Sequence, residues 1–152
     1  MNHHDVPWLG QYPRSVPAEV DVARYASVPA LMEESFAKHD GACAYLGMGT
    51  ALSFGDVGRL SRDFGAWLQA QGLQRGDRVA LMMPNVLAYP VATAAVLRAG
   101  LVVVNVNPLY TPRELEHQLR DSGATAIVIL ENFAATLQQV LERVRLKVVV
   151  VT

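Results

Sequence analysis

Glu114 and His117 stand three residues apart, the Glu-x-x-His spacing that projects a carboxylate and an imidazole from one helix face toward two metals. A two-metal centre needs a second copy of that motif, and the sequence has none. His117 is also two positions from both Leu115 and Leu119, about 200° around a helix. It therefore points away from the apolar stripe, where it can pair with Asp121. His3 and His4 are adjacent near the start, but a structural metal site needs further ligands. The single thiol, Cys43, lies in the apolar run Ala-Cys-Ala-Tyr-Leu without a neighbouring cation to stabilise a thiolate, and reads as an inert core or near-core residue. No serine occupies a Gly-x-Ser-x-Gly elbow.

Phosphate cradles are equally absent. A dinucleotide site puts pyrophosphate at a helix N-terminus reached by a glycine-rich turn. The turns expected after strands here are Met83-Pro84-Asn85, Asn107-Pro108-Leu109-Tyr110 and Glu131-Asn132, whose side chains and ring block close backbone approach. Gly47 and Gly49 form the one G-x-G pair, in a hairpin turn, and neither Lys38 nor Lys147 follows a glycine-rich loop. Phe64 and Trp67 fall at core positions of a helix. Tyr89 and Tyr110 sit at strand-to-helix connections, the edge where open α/β sheets bind ligands, though supporting that edge also accounts for them.

The elements that must position these residues alternate. Residues 1–27 carry Pro7, Pro13 and Pro17 without an apolar period and read as an extended arm. Ser27 and Pro29 open a helix through Leu31, Met32 and Phe36 that fades at Asp40 and Gly41. A hairpin pairs Ala42 to Leu46 with Ala51 to Ser53. Ser53 and Asp56 make a capping box before the clearest helix, with Val57, Leu60, Phe64, Trp67 and Leu68 on its apolar side and Gly72 at its stop. Arg78 to Met83 is an uninterrupted apolar strand of the kind covered on both faces.

Val86 to Ala99 is apolar all round, so that helix needs cover on two sides, and Pro90 belongs in its first turn. Strand Leu101 to Val106 precedes a second capping box at Thr111, Pro112 and Glu114. The helix it opens runs to about Ser122 with a narrow stripe, Leu115 and Leu119. Strand Thr125 to Leu130, a helix through Phe133, Leu137, Val140, Leu141 and Val144, and strand Lys147 to Val151 follow. Crossovers of this length join parallel strands with right-handed connections. The fold class is therefore α/β: an incomplete doubly wound, mostly parallel sheet with flanking helices. Val148 to Val151, all β-branched, read as a fully covered central strand, which implies the front portion of a larger protein.

Composition sets the outer bounds. The chain has 152 residues, a formal charge of −1 and 51% hydrophobic residues, which suits one globular domain. With only 13 basic residues against 14 acidic ones it offers no footprint for nucleic acid. The start has neither a basic nor an apolar leader segment and there is no cysteine pair, favouring a reducing cytoplasmic setting. The longest apolar stretch is interrupted by Pro90 and too short to span a bilayer.

The run from Leu52 to Ile129 resembles bacterial long-chain-fatty-acid CoA ligases, within the adenylate-forming superfamily. The resemblance rests on Gly76 to Ala80, Pro84 and Asn85, Arg98 to Gly100, Val106 to Pro108 and Thr111 to Leu115. The fuller string NVNPLYTPRELEHQL and the arm WLGQYPRSVPAEV, Trp8 to Val20, are similar to the fatty-acyl branch in particular.

The resemblance implies a 1–27 arm, and over 28–152 a partial AMP-binding domain that stops before the ATP-binding motifs. It implies ATP, Mg2+ and CoA as requirements of the full-length enzyme, which converts a fatty carboxylate to an acyl adenylate and then a thioester. None is expected bound to this chain, whose catalytic, cofactor-binding and metal residues number none. Its partners would be the fatty acid substrate and the remainder of the enzyme. Transient contact with the inner membrane and a homo-oligomer both stay open. So do transfer to a carrier protein instead of CoA, as in a fatty acyl-AMP ligase, and a non-enzymatic α/β interaction module. The layered family fold implies that the Val86 to Ala99 helix is well buried only in the intact enzyme or against a partner copy.

Overall fold

A computed structural model describes residues 7–152; His3, His4 and the first part of the arm lie outside the described residues. The described part of the arm is a string of turns. A 3-10 turn at Pro7–Gln11 is followed by turns closed by Val16 N–H to the Pro13 carbonyl and Arg24 N–H to the Asp21 carbonyl. Most of its side chains stay in solvent, Val20 and Val22 at 82% and 89% exposure, with Leu9 and Tyr25 half-buried. With proline removing donors and fixing φ, only local turns satisfy this backbone.

Helix α1 (Val28–Lys38) begins where Ser27 accepts from Ala30 N–H and proline occupies the first turn. Strands β1 (Cys43–Gly47) and β2 (Thr50–Ser53) form an antiparallel hairpin whose tip, Met48 and Gly49, has positive φ at both positions. That is the turn whose twist matches the flanking strands. The Cys43 thiol is exposed, correcting the near-core expectation. The hairpin lies outside the main sheet, so its apolar residues have no layer beyond them to bury against.

Helix α2 (Phe54–Ala70) opens on the expected capping box, Asp56 accepting from the Ser53 backbone and Ser53 Oγ accepting from Asp56 N–H. Its buried positions are Val57, Gly58, Ser61, Gly65 and Leu68. The small residues allow close approach to α3 (Ala88–Arg98): a Cβ added at Gly65 would stand 3.1 Å from the Ala95 carbonyl oxygen. That geometry displaces the largest side chain. Trp67, expected in the core, is 42% exposed and lies on the Phe64 ring at the flank, centroids 5.9 Å apart.

The main sheet contains β3 (Arg78–Met82), β4 (Val102–Asn105), β5 (Ala126–Ile129) and β6 (Val148–Val151), all parallel in the order β4-β3-β5-β6. Alternation divides β3 between two cores. Val79, Leu81 and Met83 pack with Ala92 and Val96 of α3, while Ala80 and Met82 pack with Leu115 and Leu119 of α4 (Pro112–Ser122). Helices on opposite faces make this the doubly wound arrangement the alternation predicts. Helix α3 begins at Ala88, which places Pro90 in the first turn, where its missing N–H has no role. No residue of α3 is exposed: the sheet covers one side, α2 and α1 the other. Part of the second cover therefore comes from this chain itself, which buries Ala92, Ala94, Ala95 and Val96 and leaves the other residues of α3 half-buried.

One expectation fails in the last crossover. The helix through Val144 is instead a 3-10 turn (Glu131–Phe133), the five-residue α5 (Ala134–Gln138) and another 3-10 turn (Leu141–Arg143). No side chain caps any of the three. Bonds from Val140 N–H to the Leu137 carbonyl and from Arg143 N–H to the Val140 carbonyl tighten the path while keeping Leu137 and Val140 buried. Strand β6 pairs with β5 among the described residues, with Val149 and Val151 at 42% and 53% exposure.

Candidate functional site

Open α/β sheets present ligand sites at the carboxyl ends of strands, between neighbours whose following helices leave on opposite faces. Here those neighbours are β3, followed by α3, and β5, followed by α5. The β3 exit is a tight turn with Val86 N–H bonded to the Pro84 carbonyl at 2.8 Å. The β5 exit is occupied by backbone pairing: Leu130 N–H bonds the Met82 carbonyl and Glu131 N–H bonds the Thr152 carbonyl.

The β4 exit carries the densest polar contacts of this edge. Tyr89 Oη donates to Asn105 Oδ1 at 2.6 Å, tying the first turn of α3 to the end of β4. Gln118 Nε2 of α4 donates to the Asn105 carbonyl at 2.9 Å. Asn107 Oδ1 accepts from Leu109 N–H, and its carbonyl accepts from Tyr110 N–H, so the Asn-Pro turn is closed by its own groups. Tyr89 thus supports the sheet edge through its hydroxyl, and the half-buried Tyr110 packs on the core between the sheet and α4.

Glu114 accepts from Thr111 N–H at 2.9 Å and Thr111 Oγ1 at 2.7 Å with the same oxygen. Those two bonds, the side-chain one foremost, hold its carboxyl below the usual range. It caps a helix, while His117 is exposed with no hydrogen bond or ion pair to Asp121 among the described residues. Glu116 is the carboxylate of α4 that is paired across elements, to Arg143 at 2.8 Å, with Arg120 of its own helix at 3.2 Å, and Arg143 chiefly depresses its pKa. Among the described residues no group of three His, Cys, Asp or Glu could hold a metal ion.

Two clefts flank the start of α3. One of about 390 Å³ lies between it and the β1–β2 hairpin, walled by Met32, Tyr45, Leu46, Leu87 and Pro90. The other, about 380 Å³, lies beside α3 over β5 and β6 and is walled by Leu60, Phe64, Val91, Val128 and Val150. The second is walled almost wholly by apolar side chains, whereas Asn85, Tyr89 and Thr93 add polar groups to the first.

Composition and spacing passed over one cluster. Arg98 of α3 is 12% exposed and reaches the Gly58 carbonyl, Ser61 Oγ at 2.7 Å and Glu33 of α1, with its guanidinium carbon 5.6 Å from the Phe36 ring centroid. The available signal was one arginine ending an otherwise apolar helix.

A doubly wound sheet with α3 sandwiched between it and a second helical layer defines this as part of a layered α/β enzyme fold. The model of the AMP-binding enzyme family matches residues 32–152, and the chain belongs to that family. It is 53% identical over 146 residues to a long-chain-fatty-acid–CoA ligase of Escherichia coli O157:H7, and 38% identical over 125 residues to one of Bacillus subtilis. These alignments cover 95% and 82% of this chain but 26% and 22% of the relatives, so the chain spans about a quarter of their length. The solved structure of a long-chain-fatty-acid–CoA ligase from Archaeoglobus fulgidus superposes with a TM-score of 0.76 at 23% identity, over 83% of this chain and 27% of that one, which shows the shared fold.

Proposed function

We propose that this chain is the framework of the leading part of a long-chain fatty acid CoA ligase. Residues 28–152 form one wall of its AMP-binding domain, and residues 1–27 form an arm. The observation that carries this reading is 53% identity over 95% of the chain to ligases of that description. ATP, Mg2+, CoA and the fatty acid are substrates and cofactor of the whole enzyme. Catalytic, nucleotide-binding and metal-binding groups belong to sequence other than residues 1–152. ATP supplies the activation that makes the carboxylate an electrophile before the thioester forms.

The part played by this chain is mechanical. The Tyr89–Asn105 bond and the two-sided burial of α3 fix the carboxyl edge of the sheet against which the rest of the domain builds. No described helix is long and apolar enough to cross a membrane, and we place the enzyme in the cytoplasm, acting on a substrate that brings it to the inner membrane.

The test reads the gene beyond Thr152 and assays the product. A Ser/Thr/Gly-rich loop ending in lysine is expected downstream, with palmitate-dependent exchange of pyrophosphate into ATP by the long product and none by residues 1–152. Exchange by residues 1–152 alone would overturn the framework reading. A long product that ignores palmitate would overturn the fatty-acid reading.

A further inference from the structure

The Arg98 cluster is asymmetric. Two of its bonds, to the Gly58 carbonyl and Ser61 Oγ, are made to α2, and Ser61 is fully buried and itself donates to the Gly58 carbonyl at 3.2 Å. From α1 come only the Glu33 carboxylate, 49% exposed, and the Phe36 ring, which lies against Gly58. Helix α1 has no buried residue.

Among the described residues before α1, Tyr25 Oη donates to Glu34 of α1 at 3.3 Å and Arg24 pairs with the same carboxylate. Just beyond α1 the fastening changes character. Gly55 N–H bonds the Asp40 carbonyl at 2.9 Å and Phe54 N–H bonds the Ala42 carbonyl at 3.0 Å, backbone contacts that anchor residues 40–42 to the start of α2.

We propose that residues 24–38 form a strap that opens as a unit about an anchored hinge at residues 39–42, with the Glu33–Arg98 pair as its catch. Opening leaves Arg98 held by α2, so the sheet and the α2–α3 pair stay folded, and it bares the Gly58–Ser61–Arg98 face. A segment with no buried side chain and one charged catch opens locally at far lower cost than a strand buried on both faces.

Hydrogen–deuterium exchange on the protein tests this. Amides 30–38 should exchange as a group well before amides 79–82 of β3. Glu33→Gln should raise the α1 exchange on the order of threefold to fivefold, the scale of a half-exposed ion pair, with β3 unchanged. Higher salt should act in the same direction on wild type and little on the variant. Phe36→Leu, which loosens the ring contact and keeps the carboxylate, should give the same selective rise. Exchange of α1 only at the β3 rate overturns the proposal, as does a Glu33→Gln effect that is nil or equal across α1 and β3.

Discussion

Alanine substitution at two glycines of α2 separates helix propensity from helix packing. Either change relieves a glycine in a helix interior, worth about 1 kcal/mol. At Gly65 the new Cβ would stand 3.1 Å from the carbonyl oxygen of Ala95, a fully buried residue of a helix held between the sheet and α2. That oxygen belongs to backbone that cannot retreat without disturbing β3, and overpacking of this kind costs about 1–3 kcal/mol. Gly65→Ala should therefore be net destabilising by up to about 2 kcal/mol. At Gly58 the new Cβ meets Phe36 Cβ at 3.3 Å, on a half-buried side chain of a loosely seated helix that can shift. Gly58→Ala should be neutral or stabilising by up to about 1 kcal/mol. Urea unfolding of both variants, with unchanged m-values, reads the difference directly. Equal stabilisation by the two substitutions would refute the close approach of α2 to α3.

Leu68→Ala, at a residue with no exposed surface, should cost about 2–5 kcal/mol, whereas Trp67→Ala, one position along, should cost much less despite removing more atoms; a larger loss at Trp67 in urea unfolding would contradict its flank position. Glu114 is held below its ordinary value of 4.5 in the folded protein, so its capping contribution is present above that value and is lost as pH falls toward the depressed folded value. Amide exchange in the first turn of α4 should accelerate over that acid window. In Glu114→Gln that pH dependence should vanish, and its persistence would assign the acid sensitivity elsewhere.

Most of the element order was legible because it is written in short-range chemistry. Ser53 with Asp56 and Thr111 with Glu114 satisfy helix-end donors within four residues, so the sequence alone locates those starts, and Pro90 falls where its ring is tolerated. Strands β3 and β5 declared two-sided burial by unbroken apolar runs. The chemistry read at Glu114 and His117 was resolved the same way, since the carboxylate has a cap to serve and the imidazole an exposed face. The β5–β6 crossover was misread because Phe133, Leu137, Val140 and Val144 keep one face equally well in a path broken by 3-10 turns.

What the sequence determined by itself was the identity and order of its elements, their caps and the family whose pattern they share, because each depends on neighbours a few residues apart. Tertiary structure alone decided the rest. It drew α2 onto α3 through Ser61 and Gly65 so that Trp67 was turned outward, and gathered Glu33, Phe36, Ser61 and Arg98 from three helices. Those outcomes hang on contacts between residues up to 65 positions apart (Glu33 to Arg98, 98 − 33 = 65). Local propensity carries no information about such contacts, because packing selects among faces that the chain's short-range preferences leave equivalent.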